Sequence, residues 1–232
     1  WEAWDLDGYQ GVEFLHAGRQ AGRRGVLELV GGWLAGLAGG GYARVHLAIR
    51  PVEGLARWDE VTRRRPVAGF CGLDTAAGSP GLLRAMSVYL PMPAEQAPYD
   101  PRALVAALRT GRHFCGLPVV GDPSGFRFLA RASSKTAGMG ETIGLQKGLA
   151  LQADLQLASD PGCLAMHLYL DGREIRGVDG TGLSHGVELA GAYRVEVGVS
   201  MPALPWGRRE GRLVYSNPIY VTEESVRTSA SP

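Results

Sequence analysis

One apolar stretch, Arg65 to Ala77, constrains the fold of this chain more than any other. It reads RPVAGFCGLDTAA, so small and apolar residues follow one another until a single carboxylate, Asp74. An apolar run bounded by Pro and Gly is typical of a strand buried on both faces, as in parallel α/β sheets. Side chains at the carboxyl ends of such strands line the sites of α/β proteins. Asp74 is therefore the first candidate site residue.

The segments on either side of this stretch alternate between strand and helix patterns. Gly11 to His16 predicts a strand, residues 26–38 a helix that stops at three glycines, and Leu55 to Arg64 a second helix. Strand, helix and strand in this order are typical of a parallel sheet. The pattern predicts that the first part of the chain is α/β with parallel strands.

Asp100 to Gly111 carries the clearest helix signals in the sequence. Asp100 can cap the first turn, Pro101 occupies the first helical position, and Gly111 follows a basic last turn. These signals predict a helix that begins at Pro101 and ends before Gly111.

After about residue 122 the pattern changes to short alternating runs separated by turn residues. Such runs at this spacing are typical of an antiparallel sandwich. Asp171-Gly172, between Leu168-Tyr169-Leu170 and Arg173-Glu174-Ile175, predicts a tight hairpin. The predicted strands are Phe126 to Arg131, Leu149 to Ala158, Ala165 to Leu170, Gly186 to Leu189, Ala192 to Val199 and Leu213 to Val221.

Composition excludes several classes of partner. The formal net charge of +1 provides no basic field for nucleic acid, and 45% apolar residues suffice for an ordinary core. No apolar run reaches the roughly 20 residues that a membrane span requires. The three cysteines are widely spaced, which argues against a disulfide scaffold and a thiolate zinc site and predicts three buried thiols.

Two further residues are candidates for the same crevice as Asp74. His16 ends a predicted parallel strand, and Glu13 is a carboxylate inside that strand. A histidine that is only structural, and a glutamate that pairs with a basic neighbour, are the competing interpretations.

Two motifs that suggest other chemistry lack the context they need. Gly182 to Gly186 has the G-x-S-x-G spacing of serine hydrolases, but a strand follows it where a nucleophile elbow requires a helix. Ser133 to Thr136 has Ser where a phosphate-binding loop needs glycine directly before its lysine. We therefore assign no catalytic residue.

Several short motifs occur in the order found in one known family. The chain resembles the C-terminal portion of the polymerase and histidinol phosphatase (PHP) superfamily of metal-dependent phosphoesterases, in the variety with a trailing β-sandwich. The pieces that carry the resemblance are Asp7 to Glu13, Trp58-Asp59-Glu60, Pro66 to Gly69, Gly72 to Ala76, Ala103 to Phe114, Leu170 to Ile175, Gly191 to Val197, Pro205-Trp206 and Ser216 to Val221.

The resemblance implies a fold and a division of the chain. Residues 1–120 would form the C-terminal part of a distorted α/β barrel with parallel strands. Residues 121–222 would form an immunoglobulin-like antiparallel β-sandwich, and residues 223–232 a flexible tail. A barrel whose first half lies elsewhere exposes a strand edge. We therefore expect another chain or an upstream segment to complete it, or a homo-oligomer.

The resemblance also implies a metal site, with a departure. Family members bind divalent metals such as Mn²⁺, Zn²⁺ or Mg²⁺, and Asp74 matches one ligand of their Asp-x-His motif. Ala76 stands where the family has histidine, and the family's His-x-His strand has no match in the sequence. With His16 as the second candidate ligand, too few donors remain, since such sites need about three protein ligands. We expect weak or absent metal binding by this chain alone.

Two functions follow from these observations. The first is a portion of a PHP-like phosphoesterase that is catalytically degenerate in this chain. The second is a non-catalytic structural or assembly module that pairs with another chain.

Overall fold

The computed structural model describes most of the chain. The described residues are 8–16, 50–72, 85–92, 100–157, 163–202 and 208–223. Asp74, the predicted helix over residues 26–38 and residues 224–232 of the predicted tail lie outside these ranges.

A β–α–β unit forms the first part of the described chain. Its strands are β1 (Gly11–His16) and β2 (Ala68–Gly72), which pair in parallel, and helix α1 (Val52–Thr62) precedes β2 in sequence. α1 buries Leu55, Trp58, Asp59 and Thr62, a spacing that places all four on one face. The Trp58 indole lies so close to β2 that a Cβ on Gly69 would overlap it.

Helix α2 (Pro101–Thr110) has the ends that the sequence predicts. The Asp100 carboxylate accepts a hydrogen bond from the backbone N–H of Arg102 at 3.0 Å. Gly111 ends the helix with φ of 78°, a left-handed conformation that glycine adopts without strain.

The remaining strands form two packed sheets. The strands are β3 (Ser87–Tyr89), β4 (Phe114–Gly116), β5 (Gly125–Arg131), β6 (Thr136–Gly138), β7 (Thr142–Gly144), β8 (Ala150–Gln156), β9 (Leu164–Leu170), β10 (Arg173–Asp179), β11 (Gly182–Gly186), β12 (Gly191–Pro202), β13 (Arg208–Ser216) and β14 (Ile219–Thr222). The first sheet has the order β10-β9-β12-β13-β4-β3; in addition, β14 pairs with β12, and β7 pairs with β14. The second has the order β11-β8-β5-β6.

The core lies between these two sheets. β5 and β8 alternate buried apolar with exposed polar residues, as strands with one solvent face do. The predicted hairpin joins β9 and β10, with positive φ angles at Asp171 (50°) and Gly172 (81°).

Strand β12 differs because both of its faces are buried. Its Val195 and Val197 face the core, while Arg194 and Glu196 face the opposite side and are 2% and 0% exposed. The β–α–β unit covers this outer face: Phe14 stacks on Trp58 with ring centroids 4.7 Å apart and meets Tyr215 of β13 edge-on at 5.5 Å. The first sheet is therefore the middle layer of three.

The predicted α/β barrel portion is wrong, whereas the structure is compatible with the predicted sandwich. The described chain consists mostly of antiparallel sheets, with two helices, and in its N-terminal part the parallel pairing is confined to β1 and β2. In the described part of the apolar stretch, Val67 to Gly69 are buried and Phe70 to Gly72 are half-buried, because Trp58 lies against Gly69 and His113 against Phe70. Burial on both faces thus arises from packing against a helix and the sandwich, and not from a barrel.

The first sheet also draws strands from both sides of residue 120. β4 pairs with β13, and β3 pairs with β4, although both precede that position. The predicted division into residues 1–120 and 121–222 stays a prediction, but the sheet itself crosses it.

Candidate functional site

The carboxyl ends of β1 and β2 lie at one edge of the parallel pair. His16, the last residue of β1, is in register with Gly72, the last residue of β2. Asp74 follows Gly72 by two residues and lies outside the described residues, as does the side chain of His16. The backbone of His16 is thus beside the strand that leads to Asp74, and the meeting of the two side chains stays a prediction.

Glu13 is oriented toward this edge. Its carboxylate approaches Gly72 so closely that a Cβ at Gly72 would overlap it. Its negative charge also contributes to the raised pKa of the Cys115 thiol in β4. The structure therefore brings the Glu13 carboxylate close to the end of β2, and its sharing of a crevice with Asp74 stays a prediction.

Two thiols lie beside this edge. Burial, followed by the proximity of Cys71, raises the pKa of Cys115 well above its ordinary value. The Cys71 sulfur is 3.7 Å from the backbone oxygen of Ser87 in β3. The prediction of three buried thiols is confirmed for Cys115, whereas Cys71 is half-buried and the prediction is wrong for Cys163, which lies exposed directly before β9.

The sandwich caps the other edge of β2 with side chains. The backbone N–H of Gly69 donates to the Asn217 side-chain oxygen at 2.7 Å, and the Asn217 amide donates to the oxygens of Gly69 (3.1 Å) and His113 (3.0 Å). The backbone N–H of Val67 donates to the Tyr220 hydroxyl at 3.2 Å. These contacts satisfy backbone groups that a strand edge otherwise leaves open.

Replacing Asn217 with Ala should lower the free energy of unfolding by about 2 kcal/mol, since a buried N–H and two carbonyls lose a partner. Urea denaturation monitored by circular dichroism measures this change. Replacing the exposed Ser184 of β11 with Ala is the control, and it should change the free energy by less than about 0.5 kcal/mol. An Asn217 variant as stable as the control would contradict the capping role.

His113 is buried between β2 and the sandwich in its neutral form. Its Nε2 lies 3.0 Å from the Gly69 oxygen and therefore carries the proton that it donates, while Nδ1 has no hydrogen-bond partner. Loss of solvent around the ring lowers the pKa of His113 to about 4, although the bond to Gly69 acts in the opposite direction. His113 is thus a structural histidine.

A buried ion-pair network joins α1 to the outer face of the first sheet. The Arg194 guanidinium donates to both carboxylate oxygens of Asp59, at 2.6 and 2.7 Å, and to Glu196 at 2.5 Å. Burial alone would lower the pKa of Arg194, but the bonds to Asp59 and the charge of Glu196 outweigh burial and raise it. This two-oxygen geometry is the strongest form of an Arg–carboxylate contact.

Glu196 is the centre of the network. Arg50 donates to both of its oxygens at 2.7 and 2.8 Å, and Arg212 donates to one of them at 2.9 Å. Burial alone would raise the pKa of Glu196, but Arg50 and Arg194 lower it to about 2. Glu196 is consequently charged at neutral pH and fully engaged.

The network continues toward solvent along the same face. Arg212 also contacts Glu210, and His167 of β9 lies between Glu210 (3.0 Å) and Glu174 (2.9 Å). The Tyr169 hydroxyl donates to Glu174 at 3.2 Å. A chain of hydrogen-bonded polar side chains thus crosses β10, β9, β12 and β13.

Sequence reasoning missed this network for a physical reason. Arg194 and Glu196 alternate with valines in β12, which is the usual pattern of a strand with one solvent face. Asp59 looks like an ordinary helix-surface residue and lies 135 residues from Arg194. The available signal was the family-like motif around Asp59, and it gives no pairing.

The described residues do not form a metal-ligand set. No group of three or more His, Cys, Asp or Glu side chains that could hold a metal occurs within them. Glu13 is the carboxylate that they place at the carboxyl end of β1 and β2. Because Asp74 and the His16 side chain lie outside them, the divalent metal expected from the resemblance stays a prediction.

Ser184 and His185 do not form a nucleophile elbow. They lie within β11, which pairs antiparallel with β8 over its full length. A nucleophilic serine of this motif requires a sharp turn from strand to helix. The competing hydrolase interpretation therefore has no support in the fold.

Comparison with known proteins adds no assignment. No protein-family model, curated protein or solved structure matches the chain. Across the described ranges, no helix combines the length and the apolar character needed to cross a membrane.

Proposed function

We propose that this chain is a portion of a PHP-like metal-dependent phosphoesterase that has lost catalysis. The observation that carries the proposal is the parallel register of β1 and β2, which pairs His16 with Gly72 two residues before Asp74. Ligands in proteins of α/β type bind at the carboxyl ends of parallel strands. The proposal concerns this edge and does not include a barrel.

The residues at this edge support binding better than turnover. Asp74 and His16 provide one carboxylate and one imidazole, and Ala76 stands where the family motif has its histidine. A catalytic metal needs about three protein ligands and an open position for water. The missing donors would have to come from another chain, from a segment beyond the printed sequence or from a second copy of this one.

Restoring the missing histidine tests the proposal. The Ala76→His variant should bind Mn²⁺ or Zn²⁺ at least about tenfold more tightly than the parent chain, because a further imidazole joins Asp74. Isothermal titration calorimetry with each metal measures the affinity. The parent chain should hydrolyse no phosphodiester in the presence of Mn²⁺.

Two controls make the result specific. Ala77→His adds the same side chain one position further on, outside the Asp-x-His spacing of the family motif. Adding Asp74→Ala to Ala76→His should abolish the gain. If Ala76→His and Ala77→His bind metal equally, or neither differs from the parent chain, the proposal is wrong.

The second candidate is a non-catalytic assembly module, and the ion-pair network favours it. The buried carboxylates Asp59 and Glu196 are both engaged by arginines that hold α1 on the sheet. Carboxylates paired in this way hold α1 on the sheet in a defined orientation. They are not available as metal ligands or as acid–base groups. A failed Ala76→His experiment would favour this candidate over the first.

A further inference from the structure

A groove at the opposite end of the parallel pair has the chemistry of an anion site. It has a volume of about 760 Å³ and lies between the residues that precede β1 and β2 and one face of α2. We call it the cationic groove; the residues that characterise it are Tyr9, Arg65, Arg102, Val105, Ala106 and Arg109. Its volume is within the range of about 300–1,000 Å³ typical of small-molecule sites.

One face of α2 forms a wall of this groove. Arg102, Val105, Ala106 and Arg109 are spaced three, four and seven residues from the first, which places them on the same side of a helix. The two arginines lie about 10 Å apart along the axis, since each residue rises about 1.5 Å. Between them Val105 is 48% exposed, so an apolar surface separates two cations.

Arg65 occupies the opposite wall in a fixed position. Its Nη1 donates to the backbone oxygen of Tyr9 at 2.7 Å, and its guanidinium lies 4.3 Å from the centre of the Tyr9 ring. A guanidinium held over an aromatic face retains unused N–H donors. Arg65 is thus oriented before any ligand arrives.

The charges in the groove are not neutralised by its own wall. The residues that line it include Arg65, Arg102 and Arg109 and no Asp or Glu. In the described part of the chain, the α2 arginines form no ion pair, whereas the exposed Arg64 pairs with Glu60 and Arg112 with Glu141. Three guanidinium groups without a counter-charge around one concavity favour a multiply charged anion.

From these observations we propose that the cationic groove binds a small organic phosphate, with its phosphoryl group at the arginines and its apolar body over Val105 and Ala106. Guanidinium groups match phosphate oxygens in pairs, which makes phosphate the best fit for this wall. The two-turn length is too short for a nucleic-acid footprint, which typically engages about 6–10 phosphates. The groove is lined by residues that precede β1 and β2, and no candidate ligand of the phosphoesterase assignment lines it, so the proposal does not rest on that assignment.

Phenyl phosphate and inorganic phosphate are the probes for this site. Each probe is titrated with the protein, and phosphorus NMR measures the binding at about 0.15 M salt, which screens diffuse electrostatic attraction. Both probes should show saturable binding, and phenyl phosphate should bind more tightly than inorganic phosphate. Because the two α2 arginines lie about 10 Å apart, one of the variants Arg102→Gln and Arg109→Gln should weaken phenyl phosphate by about tenfold or more, as loss of a charge-assisted hydrogen bond does, and the double variant should weaken it at least as much. Both side chains are exposed, so thermal unfolding should be unchanged.

The control is Arg131→Gln, which removes an exposed arginine on β5 of the second sheet. It should leave the affinity for phenyl phosphate unchanged. The proposal is overturned if neither probe saturates, if the Arg102→Gln/Arg109→Gln double variant binds like the parent chain, or if Arg131→Gln weakens binding equally. Equal affinity for the two phosphates would overturn the part of the proposal that assigns the apolar body to Val105.

Discussion

Replacing Arg194 with Ala should lower the free energy of unfolding by about 3–5 kcal/mol, the cost of breaking a buried ion pair from one side. Asp59 would lose both of its hydrogen bonds from Arg194 while its carboxylate, 7% exposed, stayed away from water. Glu196 would keep Arg50 and Arg212. The loss of stability therefore comes mainly from the unpaired carboxylate of Asp59, which weakens the packing of α1 on the sheet.

Urea denaturation of the parent chain and the Arg194 variant measures this loss. Since small domains are stable by about 5–15 kcal/mol, a loss of about 3–5 kcal/mol removes a large share of the stability, and the urea midpoint of the variant should fall accordingly. Arg64→Ala is the matched control because Arg64 pairs with Glu60 on the surface, where both side chains are largely exposed. The control should change stability by less than about 1 kcal/mol.

Removing both charges separates the attraction between Asp59 and Arg194 from the cost of leaving one of them buried without its partner. An Asp59→Leu/Arg194→Met variant has no carboxylate at position 59 that could remain buried without a partner. It should recover much of the free energy of unfolding that Arg194→Ala loses, because apolar replacements of buried ion pairs are often neutral. If Arg194→Ala proved as harmless as Arg64→Ala, the network would have no structural role.

Stability should also fall by about 3 kcal/mol as the pH drops from 6.5 to 4, because His113 is buried neutral with its pKa lowered to about 4 from 6.5. Above pH 6.5 the ring is neutral in both the folded and the unfolded chain, so the full stability is present. Between the two values the unfolded chain binds a proton that the folded chain cannot. Unfolding is consequently favoured step by step as the pH falls.

A His113→Gln variant isolates this effect. The amide of glutamine can still donate to the Gly69 oxygen, but it does not titrate. The difference in the free energy of unfolding between the parent chain and the variant should therefore shrink toward low pH. His185→Gln, on the partly exposed strand β11, is the control and should keep the slope of the parent chain. An identical pH slope in the parent chain and His113→Gln would show that His113 is not the titrating group.

A second acid transition should follow at lower pH. The pKa of Glu196 is lowered from 4.5 to about 2, so its ion pairs contribute stability above pH 4.5 that is lost as the pH falls through 2. Acid unfolding would therefore have a histidine phase and a carboxylate phase, which equilibrium denaturation at a series of pH values resolves.

Local sequence signals predict the elements whose causes are local. The ends of α2 are set by residues in its first and last turns, Asp100 with Pro101 at the start and Gly111 at the end. The hairpin between β9 and β10 is set by Asp171-Gly172. The alternation of β5 and β8 likewise follows from one buried face. Such elements are predictable because the residues that form them are neighbours in sequence.

The arrangement of the first part of the chain was not predictable in this way. A strand–helix–strand pattern is the same whether its parallel strands join a barrel or lie on a sandwich. What decides between them is the contact of Trp58 and Phe14 with the sheet and the caps that Asn217 supplies to β2. Those partners lie in distant parts of the sequence, and spacing does not reveal them.

The candidate site likewise combines features that follow from the sequence with features that depend on the tertiary fold. The parallel pairing of β1 and β2 follows from the predicted strands, whereas the meeting of Asp74, His16 and Glu13 in one crevice stays a prediction. The engagement of Asp59 and Glu196 by arginines required the tertiary fold. The cationic groove is equally a product of packing, because α2 and Arg65 meet only in three dimensions.

A double-mutant cycle on Asp59 and Arg194 tests most directly whether α1 is bound to the sheet by their ion pair. Asp59→Ala, Arg194→Ala and the double variant are compared with the parent chain by urea denaturation. The structure predicts a coupling free energy of at least about 2 kcal/mol, since the two side chains form a buried two-oxygen contact. Additive effects, with a coupling below about 0.5 kcal/mol, would contradict it.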